Sequence, residues 1–186
     1  MNHKSMTAIA EGLANRGIAT LRFNFPYMER GSKRPDTPAI AHAAIRAAVA
    51  KAMTLSPSLP LFAGGKSFGG RMTSQAQATD PLPNVQSLVF FGFPLHPAGA
   101  PAINRAEHLA AIDIPMLFLQ GTRDALADLS LLKRVVKGLH ERATLVLAED
   151  ADHSFHVPKS SGRTDDETLA ALLDAARDWM CHASNL

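Results

Sequence analysis

A serine framed by glycines, an aspartate and a histidine follow one another along the chain, each in a segment rich in turn residues. The serine is Ser67, in Gly65-Lys66-Ser67-Phe68-Gly69. A G-x-S-x-G run between a strand and a helix seats a nucleophile on a tight turn with strained backbone angles, and small neighbours relieve the crowding. The helix that follows presents free N–H groups and a partial positive charge, so the Phe68 N–H is the expected donor to a developing oxyanion. The aspartate is Asp124, in Gly121-Thr122-Arg123-Asp124, a carboxylate suited to orienting a histidine. The histidine is His153, in Asp150-Ala151-Asp152-His153-Ser154-Phe155, the expected general base for Ser67. Plainer readings exist: a Gly-rich turn, a turn aspartate, one histidine among 8. Ser, then Asp, then His is the chain order expected when the nucleophile sits on a strand-to-helix turn of a parallel sheet.

The remaining candidates are weaker. His96 follows an apolar strand and is expected to line the pocket as a substrate contact. His42, His108, His140 and His182 are expected on helices, facing solvent; His156 stays an alternative base by its closeness to His153, and points the other way if the turn is locally extended. Asp150, Asp152, His153 and His156 resemble a ligand cluster, but their spacing matches no zinc pattern, so no metal is expected. Lys66, Arg71 and Arg123 lie near Ser67 and Asp124 in the sequence and would favour an anionic substrate if they face it. Cys181 is the single cysteine; core filler is its expected role, and a catalytic thiol is not.

These segments need a scaffold that brings them to one place. Met6, Ile9, Ala10 and Leu13 have helical spacing, closed by Gly17, and Ile18–Phe23 reads as a strand. A loop from Pro26 to Asp36 precedes a helix capped by Thr37 and Pro38, with Ile40, Ala44, Ala47 and Ala48 as its apolar stripe. Leu59–Ala63 is a short strand running into Gly64-Gly65, and a helix follows over Phe68–Ala78. Leu88–Phe91, Met116–Leu119 and Thr144–Leu147 are further apolar strands. Leu129, Leu132, Val135, Val136 and Leu139 form an amphipathic helix with Asp128 as its N-cap. Thr164-Asp165-Asp166-Glu167 has the form of a capping box opening the last helix. Strands apolar on both faces, alternating with amphipathic helices, predict an α/β fold: a mainly parallel sheet covered on both sides, in one domain spanning 1–186. In such a sheet, reactive groups gather in the loops beyond the strands' C-terminal ends, where Ser67, Asp124 and His153 all fall.

Bulk properties narrow the function classes. The chain has 186 residues, 46% hydrophobic and 19% charged, with a formal net charge of +2. Scattered Lys and Arg, without interleaved aromatics, argue against a nucleic-acid face. No run of about 18 apolar residues exists to span a membrane. Met1–Ser5 lacks the apolar run of a secretory signal, so a cytoplasmic location is expected. The sequence carries no signal for an oligomeric state.

The chain resembles the α/β-hydrolases, and more narrowly the dienelactone-hydrolase-like branch, whose domain also occurs in a testis-expressed protein and in a subunit of a histone-acetyltransferase complex. The resemblance rests on Arg22-Phe23-Asn24-Phe25-Pro26-Tyr27-Met28, Gly64-Gly65-Lys66-Ser67-Phe68-Gly69-Gly70-Arg71, Pro94-Leu95-His96-Pro97, and Gly121-Thr122-Arg123-Asp124 with Asp152-His153. It implies Ser67, Asp124 and His153 as nucleophile, orienting acid and base, with Phe68, Tyr27 and His96 at the oxyanion or substrate site. No metal or organic cofactor is implied. Members of this branch begin with an apolar strand ending in a His-Gly-Ala-Gly type loop that supplies a second oxyanion N–H. Here Met1 falls where that loop should finish, so the first family strand is expected to be missing from between the Ile18–Phe23 and Leu59–Ala63 strands. The segment between Phe91 and Met116 is too short for a large lid. The expected activity is hydrolysis of an ester or related bond in a small-molecule acyl substrate. The alternative is a non-catalytic module of the same fold that binds a partner protein.

Overall fold

The computed structural model describes residues 4–183. Met1, where the glycine-rich loop was expected to end, lies outside them. Four parallel strands form the sheet in chain order: β1 (Leu61–Lys66), β2 (Val85–Phe91), β3 (Met116–Gly121) and β4 (Ala143–Ala148). All of β3 is buried, as is β2 apart from Gln86, which is where the apolar runs Leu88–Phe91 and Met116–Leu119 place central parallel strands.

Alternation along β2 sorts its side chains between two cores. Leu88 and Phe90 face α3 (Pro38–Leu55), α4 (Phe68–Thr79), α5 (Leu129–Gly138) and a 3-10 segment over Asn104–Ala111. Val89 and Phe91 face α1 (Lys4–Ala14) and α6 (Asp165–Ala183). Phe90, Phe93 and Phe118 meet at centroid separations of 4.9–5.7 Å, and each fully buried ring contributes about 1.5–3 kcal/mol. Arg16 ties α1 to α6 through Asp174 at 2.7 Å and the Ala170 carbonyl at 3.1 Å.

Caps close several helices as anticipated. Thr164 and Glu167 bond reciprocally at the start of α6, and Asp128 Oδ1 accepts from the Leu131 N–H at 3.0 Å at the start of α5. Thr37 makes no side-chain cap bond, so Pro38 at the first position of α3 marks that start instead.

Four expectations need correction. Residues 18–23 form no ladder: among the described residues β1 pairs on one side only, with β2, so no strand lies beside 18–23 to receive its hydrogen bonds. β1 begins at Leu61 rather than Leu59, because Pro60 has no N–H to give and Leu59 turns to solvent at 55% exposure. The buried stripe of α3 is Ala41, Ile45 and Val49; Ile40 is exposed, and Ala44, Ala47 and Ala48 line a surface groove with Leu21 and Phe23. Cys181 is exposed on α6, not core filler.

Candidate active site

Ser67 stands where β1 turns into α4. Its backbone, at φ 53° and ψ −119°, occupies a region non-glycine residues seldom adopt, and such strain costs about 1–3 kcal/mol. Surrounding contacts hold it: the Ser67 N–H donates to the Phe91 carbonyl at 3.1 Å, and the Arg71 N–H donates to the Ser67 carbonyl at 3.1 Å. Glycines make room for this turn, although not all those expected to. A Cβ on Gly70 would sit 2.7 Å from the Gly65 carbonyl oxygen, and one on Gly64 only 1.9 Å from that of Val89. A Cβ on Gly69 would meet only the Phe25 ring, at an ordinary 3.8 Å. Close packing of α4 on β1 requires glycine at Gly70, the close approach of β2 requires it at Gly64, and Gly65 sits at φ +158° with a Cβ only 3.1 Å from the Gly70 nitrogen; Gly69 alone is free of such a demand.

His153 bridges the other two groups. The Ser67 Oγ–H reaches His153 Nε2 at 2.9 Å, and His153 Nδ1–H donates to Asp124 Oδ2 at 2.6 Å. A carboxylate only accepts, so Asp124 places the hydrogen on Nδ1 and leaves the Nε2 lone pair for the serine. The Asp124 side chain is fully buried while that of His153 keeps 23% exposure. Asp124 also accepts the Leu126 N–H at 2.8 Å on Oδ1 and Gln120 Nε2–H at 2.5 Å on Oδ2. Sequence reasoning missed Gln120; its signal was a lone polar residue in an otherwise apolar strand. Gly92 gives the imidazole its space, since a Cβ there would lie 3.4 Å from the ring.

Phe68 opens α4, and an N–H in the first turn of a helix has no intrahelical acceptor. Its ring packs edge-on against Phe25 at 5.3 Å and Tyr27 at 6.1 Å. Tyr27 is thereby brought beside Ser67, on α2 (Pro26–Glu29), a single helical turn inside the segment expected to be all loop, held by the Tyr27 N–H to Asp36 Oδ2 at 2.8 Å.

His96 is placed differently from expectation. It is 3% exposed, its Nε2 accepts the Asp128 N–H at 2.7 Å, and its Nδ1–H donates to the Pro97 carbonyl at 2.8 Å. Both nitrogens are committed, so it braces the loop carrying Asp124 and has no polar atom for a ligand. His108 does not face solvent: its Nε2–H donates to the buried Ser74 Oγ at 2.7 Å, and burial pushes its pKa down to about 4. His42 is half-buried as well.

His156 turns away to Asp165 at 2.9 Å, an ion pair that raises its pKa and lowers that of Asp165. Asp152 Oδ1 accepts the Ser154 and His156 N–H groups, shaping its own turn. Of the cations near the site, Lys66 is turned to the His153 carbonyl and Arg71 is half-buried.

The sheet and crossovers described here are those of the α/β-hydrolase fold. The chain belongs to the alpha/beta hydrolase domain family, which it matches over residues 1–181. Solved structures agree in fold. An α/β serine hydrolase from Xanthomonas campestris, described as lacking a lid, superposes with a TM-score of 0.73 at 25% identity, over 96% of this chain and 75% of that one. A serine hydrolase homologue from Coxiella burnetii gives 0.72 at 22% identity, over 94% and 77%. The esterase domain of a Rhodothermus marinus protein gives 0.67 at 17% identity, over 96% and 80%. The chain is accordingly a hydrolase. Among its described residues, no helix is long and apolar enough to cross a membrane.

Proposed function

We propose that this hydrolase cleaves an ester or related acyl bond through Ser67, with His153 as base and Asp124 as its orienting acid. One observation carries the reading: His153 lies within hydrogen-bond reach of Ser67 Oγ at 2.9 Å and of Asp124 Oδ2 at 2.6 Å, from segments far apart in the chain. Ser67 Oγ attacks the carbonyl carbon while its proton passes to His153 Nε2. Asp124 stabilises the imidazolium, and the Phe68 N–H donates to the oxyanion. His153 then protonates the departing alcohol, leaving an acyl-enzyme. Water, deprotonated by the same imidazole, releases the acid and restores Ser67. One such donor is worth about 10²–10³ in rate, so the Phe68 N–H carries weight.

We assign the chain to the dienelactone-hydrolase-like branch and read residues 1–186 as one catalytic domain. The short connection between β2 and β3 favours small or exposed acyl groups. Treatment with a fluorophosphonate and measurement of intact mass tests the reading. One adduct on the wild-type protein, absent from Ser67→Ala, is the expected result; an unmodified wild-type protein would count against it.

A further inference from the structure

We propose that Lys66 is a positioning residue for His153, an ammonium that fastens the histidine turn to the end of the strand leading into the nucleophile. This rests on the reading of Ser67 as nucleophile and His153 as base.

Lys66 is the last residue of β1 and stands immediately before Ser67. Alternation along the strand puts it on the same face as Phe62, toward α1 and α6. From there Nζ donates to the His153 carbonyl oxygen at 2.5 Å, across 87 positions of sequence, and lies 5.0 Å from the centroid of the Phe155 ring. Phe155 is 3% exposed and sits at φ +66°, a conformation that needs support from its surroundings. Its ring meets Phe91 edge-on at 6.5 Å, and Phe91 is the residue of β2 paired with Lys66 in the ladder. Lys66, Phe91 and Phe155 therefore close on one another beneath His153.

The turn has bonds of its own. The Asp152 N–H donates to the His156 carbonyl at 2.9 Å, and Asp152 Oδ1 takes two N–H groups in return. Those bonds give the turn its shape, whereas the Lys66 bond fixes where it stands relative to β1. Donor and nucleophile are adjacent residues, and acceptor and base are the same residue. One contact thus ties the two reacting partners to a common reference.

Burying an ammonium is costly, and an apolar side chain would fill this aromatic surround at less cost. Burial lowers the Lys66 pKa, and the Asp124 and Asp152 carboxylates oppose that shift.

The test compares Lys66→Met and Lys66→Arg with the wild-type protein. It reads the rate of Ser67 labelling by a fluorophosphonate, kcat and KM on p-nitrophenyl acetate, and the thermal midpoint. Lys66→Met is expected to lose about 10²-fold in labelling rate and kcat with KM unchanged, and Lys66→Arg to recover most of the loss. Labelling of Lys66→Met at the wild-type rate overturns the proposal, as does a change in KM alone, which would make Lys66 a substrate anchor. Equal losses in both variants that follow the thermal midpoint also overturn it. If Lys66→Met does not fold, Lys66→Gln decides: its labelling rate per folded molecule must fall. A wild-type protein that labels on Ser67 while the variants match it removes only the role of Lys66. A wild-type protein that does not label removes the underlying reading and this one with it.

Discussion

Gln120 and His153 meet at a single atom: Asp124 Oδ2 accepts Gln120 Nε2–H at 2.5 Å and His153 Nδ1–H at 2.6 Å. Gln120 also accepts the buried Phe93 N–H at 2.9 Å, so one side chain anchors Asp124 and closes the loop after β2. Replacing Gln120 with Leu orphans that N–H and frees Asp124. Stability should fall by about 1–3 kcal/mol in urea denaturation. If Ser67 acts as proposed, its labelling by a fluorophosphonate should slow about 10- to 10²-fold, through misplacement of His153. A variant with an unchanged labelling rate would show that Leu126 alone suffices to hold Asp124.

The glycines after Ser67 should separate cleanly. Gly70→Ala forces a Cβ to 2.7 Å from the Gly65 carbonyl oxygen, so α4 must lift from β1. Its cost should be about 1–3 kcal/mol, with loss of fluorophosphonate labelling. Gly69→Ala, meeting only the Phe25 ring at 3.8 Å, should change stability by less than about 0.5 kcal/mol and label normally. Thermal unfolding of the two variants side by side provides the comparison.

His96 offers a test of bracing against substrate contact. His96→Leu leaves the Asp128 N–H without its acceptor, and stability should drop by about 1–3 kcal/mol. KM for p-nitrophenyl esters should stay at the wild-type value. A raised KM with intact stability would return His96 to the substrate site.

Acid should weaken the fold through His108. Its folded pKa is about 4 against the usual 6.5, so between those values the unfolded chain binds the extra proton. The contribution is fully present above pH 6.5 and is lost as pH falls toward 4. At this half-buried position, with solvent screening counted, it amounts to about 1–2 kcal/mol. Urea midpoints at pH 7 and pH 5 should differ less in His108→Leu than in the wild-type protein. Equal differences would mean that other groups carry the acid sensitivity.

What could be read from the sequence depended on whether local pattern or distant packing decides. The parallel sheet was legible because β2 and β3 hold the apolar runs Leu88–Phe91 and Met116–Leu119 and are buried along nearly their whole length. Ser67, Asp124 and His153 stood out because each occupies the turn beyond a strand. The stripe of α3 was misread because alanines recur on more than one face; Ile45 and Val49, one turn apart, were the better guide. The 18–23 segment has strand composition, but composition does not supply a neighbour to pair with. His96 reads identically whether it lines a pocket or holds a loop, and only its partners distinguish the two. Nothing near Lys66 in the chain announces the His153 carbonyl, 87 positions away.

The packing of α1 against α6 sets a timetable. Ser67 leaves the ribosome before His153, whose turn runs on toward α6. The core behind that turn is shared by α1, α6 and the same face of the sheet, so it cannot close until α6 is made. Domains tend to fold as units as the chain emerges. A growing chain would therefore carry Ser67 without His153 held beside it until α6 is made. Any reactivity that Ser67 owes to His153 would arrive with that helix.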